Sequence, residues 1–101
     1  MIQLLQDTDI SIRGNTARTL GIIGTKDAVP ALIQLLQDAE GFVRSRSIEA
    51  LGQIGSKDAV PALIQLLHQG QDLGICSAIA KTLKRIGTPK ALKAVKEYAS
   101  Q

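Results

Sequence analysis

Asp27–Asp38 reads DAVPALIQLLQD, and 31 residues later Asp58–Gln69 reads DAVPALIQLLHQ. Each copy runs on to a similar close, EALGQIGSK at Glu49–Lys57 and KTLKRIGTP at Lys81–Pro89. A chain that repeats itself at this interval is built of supersecondary units, each unable to bury its apolar face alone and obliged to stack on its neighbours. Sliding the sequence by 31 also places Ile2–Asp7 on Ile33–Asp38, Ile12-Arg13 on Val43-Arg44 and Leu20-Gly21 on Leu51-Gly52. The third copy keeps step only with one extra residue, which the alignment puts in the loop-like stretch HQGQDLG at His68–Gly74.

Each unit reads as two helices. In the first, Val29, Leu32, Ile33, Leu35 and Leu36 recur at helical spacing, with Gln34 and Gln37 off the stripe. Thr25, Ser56 and Thr88 stand where an N-cap is wanted, and Pro89 follows at a first helical position. Pro30 and Pro61 lie slightly deeper, which predicts an irregular first turn. In the second helix, Val43, Ser47, Ile48, Ala50, Leu51 and Ile54 form the inner side, and Gly24, Gly55 and Gly87 close the series as left-handed C-caps. Gly21 and Gly52 fall inside these helices at a cost of about 1 kcal/mol relative to alanine. Close helix–helix approach is the reason to keep them. The expected helices are a clipped first one at 1–7, then 10–23, 27–38, 42–54, 58–69, 73–86 and 89–99.

Composition narrows the class. Of 101 residues 45% are apolar but only 2% aromatic, so the core is aliphatic. No apolar run approaches the roughly 20 residues needed to span a bilayer, and MIQLLQDTD lacks the basic start of a secretory signal. A single cysteine, Cys76, excludes an internal disulfide and fits a reducing, cytoplasmic setting. The net charge of +3 is unevenly spread. Residues 1–78 carry six Lys/Arg against eight Asp/Glu, whereas residues 79–101 carry six Lys/Arg against the single Glu97.

DAVPALIQLLQD, the Val43-Arg44 pair and ALGQIG at Ala50–Gly55 together resemble the HEAT-repeat family, in particular its short bacterial phycobilisome-lyase HEAT-like type. The resemblance spans essentially the whole chain. It implies an all-α fold, a right-handed α-α superhelix (α-solenoid) of stacked helical hairpins with a period of 31–32 residues. The expected organisation is one domain over 1–101: a partial repeat at 1–26, repeats at 27–57 and 58–88, the latter with the insertion, and a terminal half repeat at 89–101. The first helix begins mid-element and leaves Ile2, Leu4 and Leu5 poorly covered, so the chain reads as a fragment of a longer array or as one that self-associates through an open N-terminal end.

The residues that could carry chemistry are few. Arg13 and Arg44 each follow an aspartate by six places, Asp7 and Asp38. The resemblance implies that Asp7, Arg13, Asp38 and Arg44 build a structural ladder between successive repeats, and the third unit loses both members at once, at Gln69 and Cys76. His68 has no second ligand at metal-binding spacing, and Cys76 has no base beside it in sequence and reads as small buried filler. No phosphate loop, nucleophile triad or carboxylate pair occurs. The expectation is therefore a non-catalytic chain that needs no cofactor or metal.

What remains is surface. In HEAT-like arrays the second helices line the concave side, and their outward positions here are Asn15, Arg18, Ile22, Ser45, Arg46, Glu49, Gln53, Ser77, Ala78, Lys81 and Arg85. This strip is mixed polar with a basic lean, suited to holding a protein or peptide partner of acidic character. Two alternatives follow. One is binding of nucleic acid or another polyanion through the basic C-terminal end, which the acidic residues 1–78 and the lack of aromatics among the basic positions disfavour. The other, implied only by the resemblance, is a bilin lyase-like or phycobilisome-associated role.

Overall fold

A computed structural model describes residues 9–99. They form six α-helices: α1 (Ile10–Ile23), α2 (Val29–Leu35), α3 (Gly41–Ile54), α4 (Val60–Leu67), α5 (Leu73–Ile86) and α6 (Pro89–Ala99), with short 3-10 turns at Lys26–Ala28 and Lys57–Ala59. There is no strand among the described residues. α1, α3 and α5 lie side by side as one layer; α2, α4 and α6 back them as a second. The Cα trace measures 38 × 25 × 15 Å. One aliphatic core, with Leu32, Leu36, Val43, Ile48, Leu51, Leu63, Ile79 and Leu83 fully buried, runs between the layers. This is an all-α solenoid. The expected helix at 1–7, the open face formed by Ile2, Leu4 and Leu5, and Asp7 of the ladder lie outside the described residues.

Local chemistry explains the helix ends. Gly24, Gly55 and Gly87 adopt left-handed φ values of 74°, 72° and 75°, and their N–H groups return to the carbonyls of Leu20, Leu51 and Leu83. At the opposite ends, Ser56 Oγ accepts from Asp58 N at 3.2 Å and Thr88 Oγ1 from Ala91 N at 3.1 Å. Thr25 makes no such bond and is not a side-chain cap. The irregular starts foreseen from Pro30 and Pro61 are the two 3-10 turns, after which each proline sits in the first α-helical turn, where a missing N–H leaves no bond unmade.

α2 and α4 stop short of the expected limits at 38 and 69. At the end of α2 the bonds tighten to i−3, with Leu36, Gln37 and Asp38 N–H donating to Ile33, Gln34 and Leu35 carbonyls, each at 3.1 Å. That shift leaves the Leu32 carbonyl without the N–H four residues on, and the fully buried Ser47 hydroxyl of α3 donates to it instead. In the next unit α4 runs one residue further, and Ile79 stands where Ser47 stood. The extra residue of the third unit is thus absorbed at the end of α4 rather than in a longer loop: residues 36–40 and 68–72 are connections of equal length. Ser47→Ala is expected to lower stability by about 1–2 kcal/mol, the cost of an unpaired buried carbonyl, read as a fall in the urea midpoint with an unchanged slope.

Two acidic caps were not foreseen. Asp9 accepts from Ser11 N at 2.8 Å at the start of α1, and Asp72 accepts from Ile75 N at 2.9 Å at the start of α5. Glu40, at the matching position before α3, makes no side-chain cap. There the carboxylate of Asp38 takes the Glu40 N–H at 3.0 Å instead.

The helices of the first layer are unequally spaced. A Cβ on Gly21 of α1 would lie 2.6 Å from the Cα of Ala50 on α3, so the two backbones are nearly in contact. A Cβ on Gly52, the equivalent residue of α3, would meet only the side chain of Thr82 on α5, at 3.2 Å. α1 and α3 therefore pack tightly along their length while α3 and α5 stand further apart.

Candidate functional site: the furrow between α3 and α5

The looser seam opens a furrow of about 450 Å³ on the outer side of the α1–α3–α5 layer. One wall is α5, where Ser77, Lys81 and Arg85 succeed one another every fourth residue and so share a face. The other is α3, with Glu49 and Gln53 likewise one turn apart. Gly52, Gly74, Ala78 and Thr82 complete the lining, and their small side chains keep the floor low.

Of the eleven outward positions read from the sequence, Glu49, Gln53, Ser77, Ala78, Lys81 and Arg85 line this furrow. Asn15, Arg18 and Ile22 are exposed on α1 and outside it. Ser45 and Arg46 are half-buried on α3 and also outside it.

Arg46 is already engaged. Its Nη1 lies 3.4 Å from Glu49 Oε2, and its guanidinium lies 5.2 Å from the centroid of the Phe42 ring, a cation–π contact. The ring in turn lies against Gly14 of α1. Lys81 and Arg85, in contrast, are exposed and have neither an ion pair nor a hydrogen bond among the described residues. The single acidic side chain of the furrow is held by Arg46, so the two cations on the facing wall are not neutralised from within.

The aspartate and arginines singled out earlier sit elsewhere, at the edge where α2 turns into α3. Arg13 of α1 grips Asp38 with two parallel bonds, Nε to Oδ2 at 2.9 Å and Nη2 to Oδ1 at 3.1 Å. Arg44 Nη1 donates to the backbone carbonyl of Asp38 at 2.7 Å. Burial raises the pKa of the Asp38 carboxyl, but the Arg13 bonds, the Glu40 N–H and the charges of Arg13 and Arg44 outweigh it and hold the group below its ordinary range. In the third unit Cys76, 5% exposed, takes the place of Arg44, and its Sγ lies 3.3 Å from the Gln71 carbonyl. The neighbouring Cys76 thiol, with burial, pushes the pKa of the Tyr98 hydroxyl up.

His68 is exposed at the end of α4, and no group of three metal-ligating side chains gathers among the described residues. Among the described residues no helix is long and apolar enough to cross a membrane. The furrow offers a ligand two cations, the Gln53 amide and the Ser77 and Thr82 hydroxyls along one trough.

No curated protein matches the chain in sequence. The profile of the HEAT repeats family does, over residues 1–75 and again over 30–101, overlapping spans that take in the whole sequence. That profile describes HEAT repeats generally and does not single out the phycobilisome-lyase type. Stacked helix pairs, left-handed glycine closures and this match agree: the chain belongs to the HEAT-repeat family.

Proposed function

We propose that this chain is a non-catalytic protein-interaction module that holds a partner segment against the α1–α3–α5 face, its concave side. HEAT repeats generally serve as protein-interaction scaffolds, and solenoids commonly use an extended concave surface for this. The observation that carries the reading is the open furrow between α3 and α5, with Lys81 and Arg85 on its wall unpartnered among the described residues. Two full units, 27–57 and 58–88, flanked by the partial units 1–26 and 89–101, present that face.

The test is selection from a phage-displayed random peptide library, with binding mapped by amide shifts in NMR spectra. Selected peptides are expected to perturb Gln53, Ser77, Ala78 and Lys81. Selection of none, or of peptides that perturb only α2, α4 and α6, overturns the reading.

A second reading rests on a specific feature: no acidic residue occurs between Lys81 and Lys96, and Lys84, Arg85, Lys90 and Lys93 are all exposed there. Such a patch suits a polyanion. It predicts retention on heparin at about 0.15 M salt that is lost when Lys84 and Lys90 are reversed in charge. Flow-through of the wild type rejects it.

A further inference from the structure

Resting on the reading of the furrow as a partner site, we infer that its occupant is an extended, acidic protein segment with carboxylates at alternate residues. Three observations converge. First, the charge within the furrow is unbalanced. Arg46 is committed to Phe42 and Glu49, and Glu49 is thereby kept from Lys81 and Arg85, which face the trough without partners among the described residues. Carboxylates are the complement this wall requires.

Second, the cations set a spacing. Lys81 and Arg85 are four residues apart on α5, about 6 Å along the helix axis. Side chains at i and i+2 on one edge of a β-extended chain repeat at about 6.6 Å. An Asp-x-Asp or Glu-x-Glu stretch lying along α5 therefore meets both cations in register, whereas adjacent carboxylates point to opposite sides.

Third, the floor of the trough is made of small residues. Gly52, Gly74 and Ala78 let an extended backbone approach closely. Gln53 and Ser77 stand at the two sides to bond its peptide groups.

Position along the solenoid matters too. The α1–α3 seam is closed by the approach of Gly21 to Ala50, so the same face one unit earlier offers no trough. Arg18, although cationic and exposed, lies on α1 beyond that closed seam. The site belongs to the third unit, the one whose sequence steps out of the 31-residue register.

The test uses three fluorescein-labelled, threonine- and valine-rich octapeptides of equal charge, with two aspartates adjacent, alternate or four apart, titrated by anisotropy. The alternate peptide is expected to bind tightest, and the exposed double variant Lys81→Glu/Arg85→Glu to weaken it by roughly tenfold or more. Arg18→Glu is expected to stay within about twofold, because α3 lies between α1 and α5 and about 0.15 M salt screens charges across such a separation. Ser77→Leu, which fills the trough without altering charge, should also abolish binding, and circular dichroism checks that each variant keeps its helices. Equal affinity for the three peptides, or a loss with Arg18→Glu matching that of the double variant, overturns the inference. If none of the three binds while library peptides without acidic residues still map to Gln53 and Ser77, the inference fails and the partner-site reading stands. If no peptide of either kind maps there, both fail.

Discussion

Gly21→Val lowers stability by about 3 kcal/mol, as overpacking of a close seam does, and brings down the thermal midpoint by roughly 12–24 °C in a domain of this size. The first β-carbon alone would sit 2.6 Å from the Ala50 Cα and 2.7 Å from the Ala50 Cβ. Neither atom can move aside unless α3 moves, and α3 is anchored by Val43, Ile48 and Leu51, all fully buried. The contrast with Gly52 makes the prediction sharp. Alanine at either site gains about 1 kcal/mol of helix propensity over glycine. At Gly52 the obstacle is the Thr82 methyl at 3.2 Å, which can withdraw by rotating to the other rotamer a helical threonine favours. Gly52→Ala should therefore be neutral or slightly stabilising, and Gly21→Ala destabilising. Thermal melts of the three variants decide it; equal behaviour of the two alanine variants refutes the unequal spacing of the seams.

Asp38→Asn is expected to cost about 2 kcal/mol, between the small worth of an exposed ion pair and the 3–5 kcal/mol of breaking a buried one. The Arg13 and Asp38 side chains are 13% and 11% exposed, so the pair is poorly screened. Asparagine preserves the shape and an acceptor for the Glu40 N–H while removing the charge that faces Arg13.

The pH dependence separates this from simple repacking. Asp38 has a lowered pKa in the folded chain, so its contribution is fully present above the unfolded-state value of about 3.9 and is lost as pH falls through the folded-state value. The stability gap between wild type and Asp38→Asn should be constant from about pH 5 to 7 and shrink below about pH 4. A gap that persists undiminished into strong acid would show that the charge is not what the substitution removes.

Much of the fold is legible along the chain because helices are local objects. The bonds that make them join residues three and four apart, and a stripe such as Val29, Leu32, Leu36 records which side is buried. Glycine closures are equally local: Gly24, Gly55 and Gly87 lie one residue beyond the last apolar position of α1, α3 and α5. The misread ends have local causes of another kind. Thr25 has the composition of a cap but not its bond, and α2 tightens before Asp38 because Ser47, from another helix, satisfies the carbonyl that the tightening exposes.

By itself, then, the sequence determined that helices pair, that the pairs repeat, and which residues form the common aliphatic core. Only the tertiary structure decided which charges meet and which stay free. The 31-residue period leaves open which aspartate Arg13 meets; its bidentate partner, Asp38, is 25 residues on. Arg46 and Lys81 both read as outward cations, yet Arg46 is spent on Phe42 and Glu49 while Lys81 stands free at the furrow. The furrow itself exists because the two seams of the layer close to different distances, Gly21 meeting Ala50 while Gly52 meets the larger Thr82. Those pairs are contacts between residues some thirty apart, and only the packing of one helix on the next shows which residue each glycine faces.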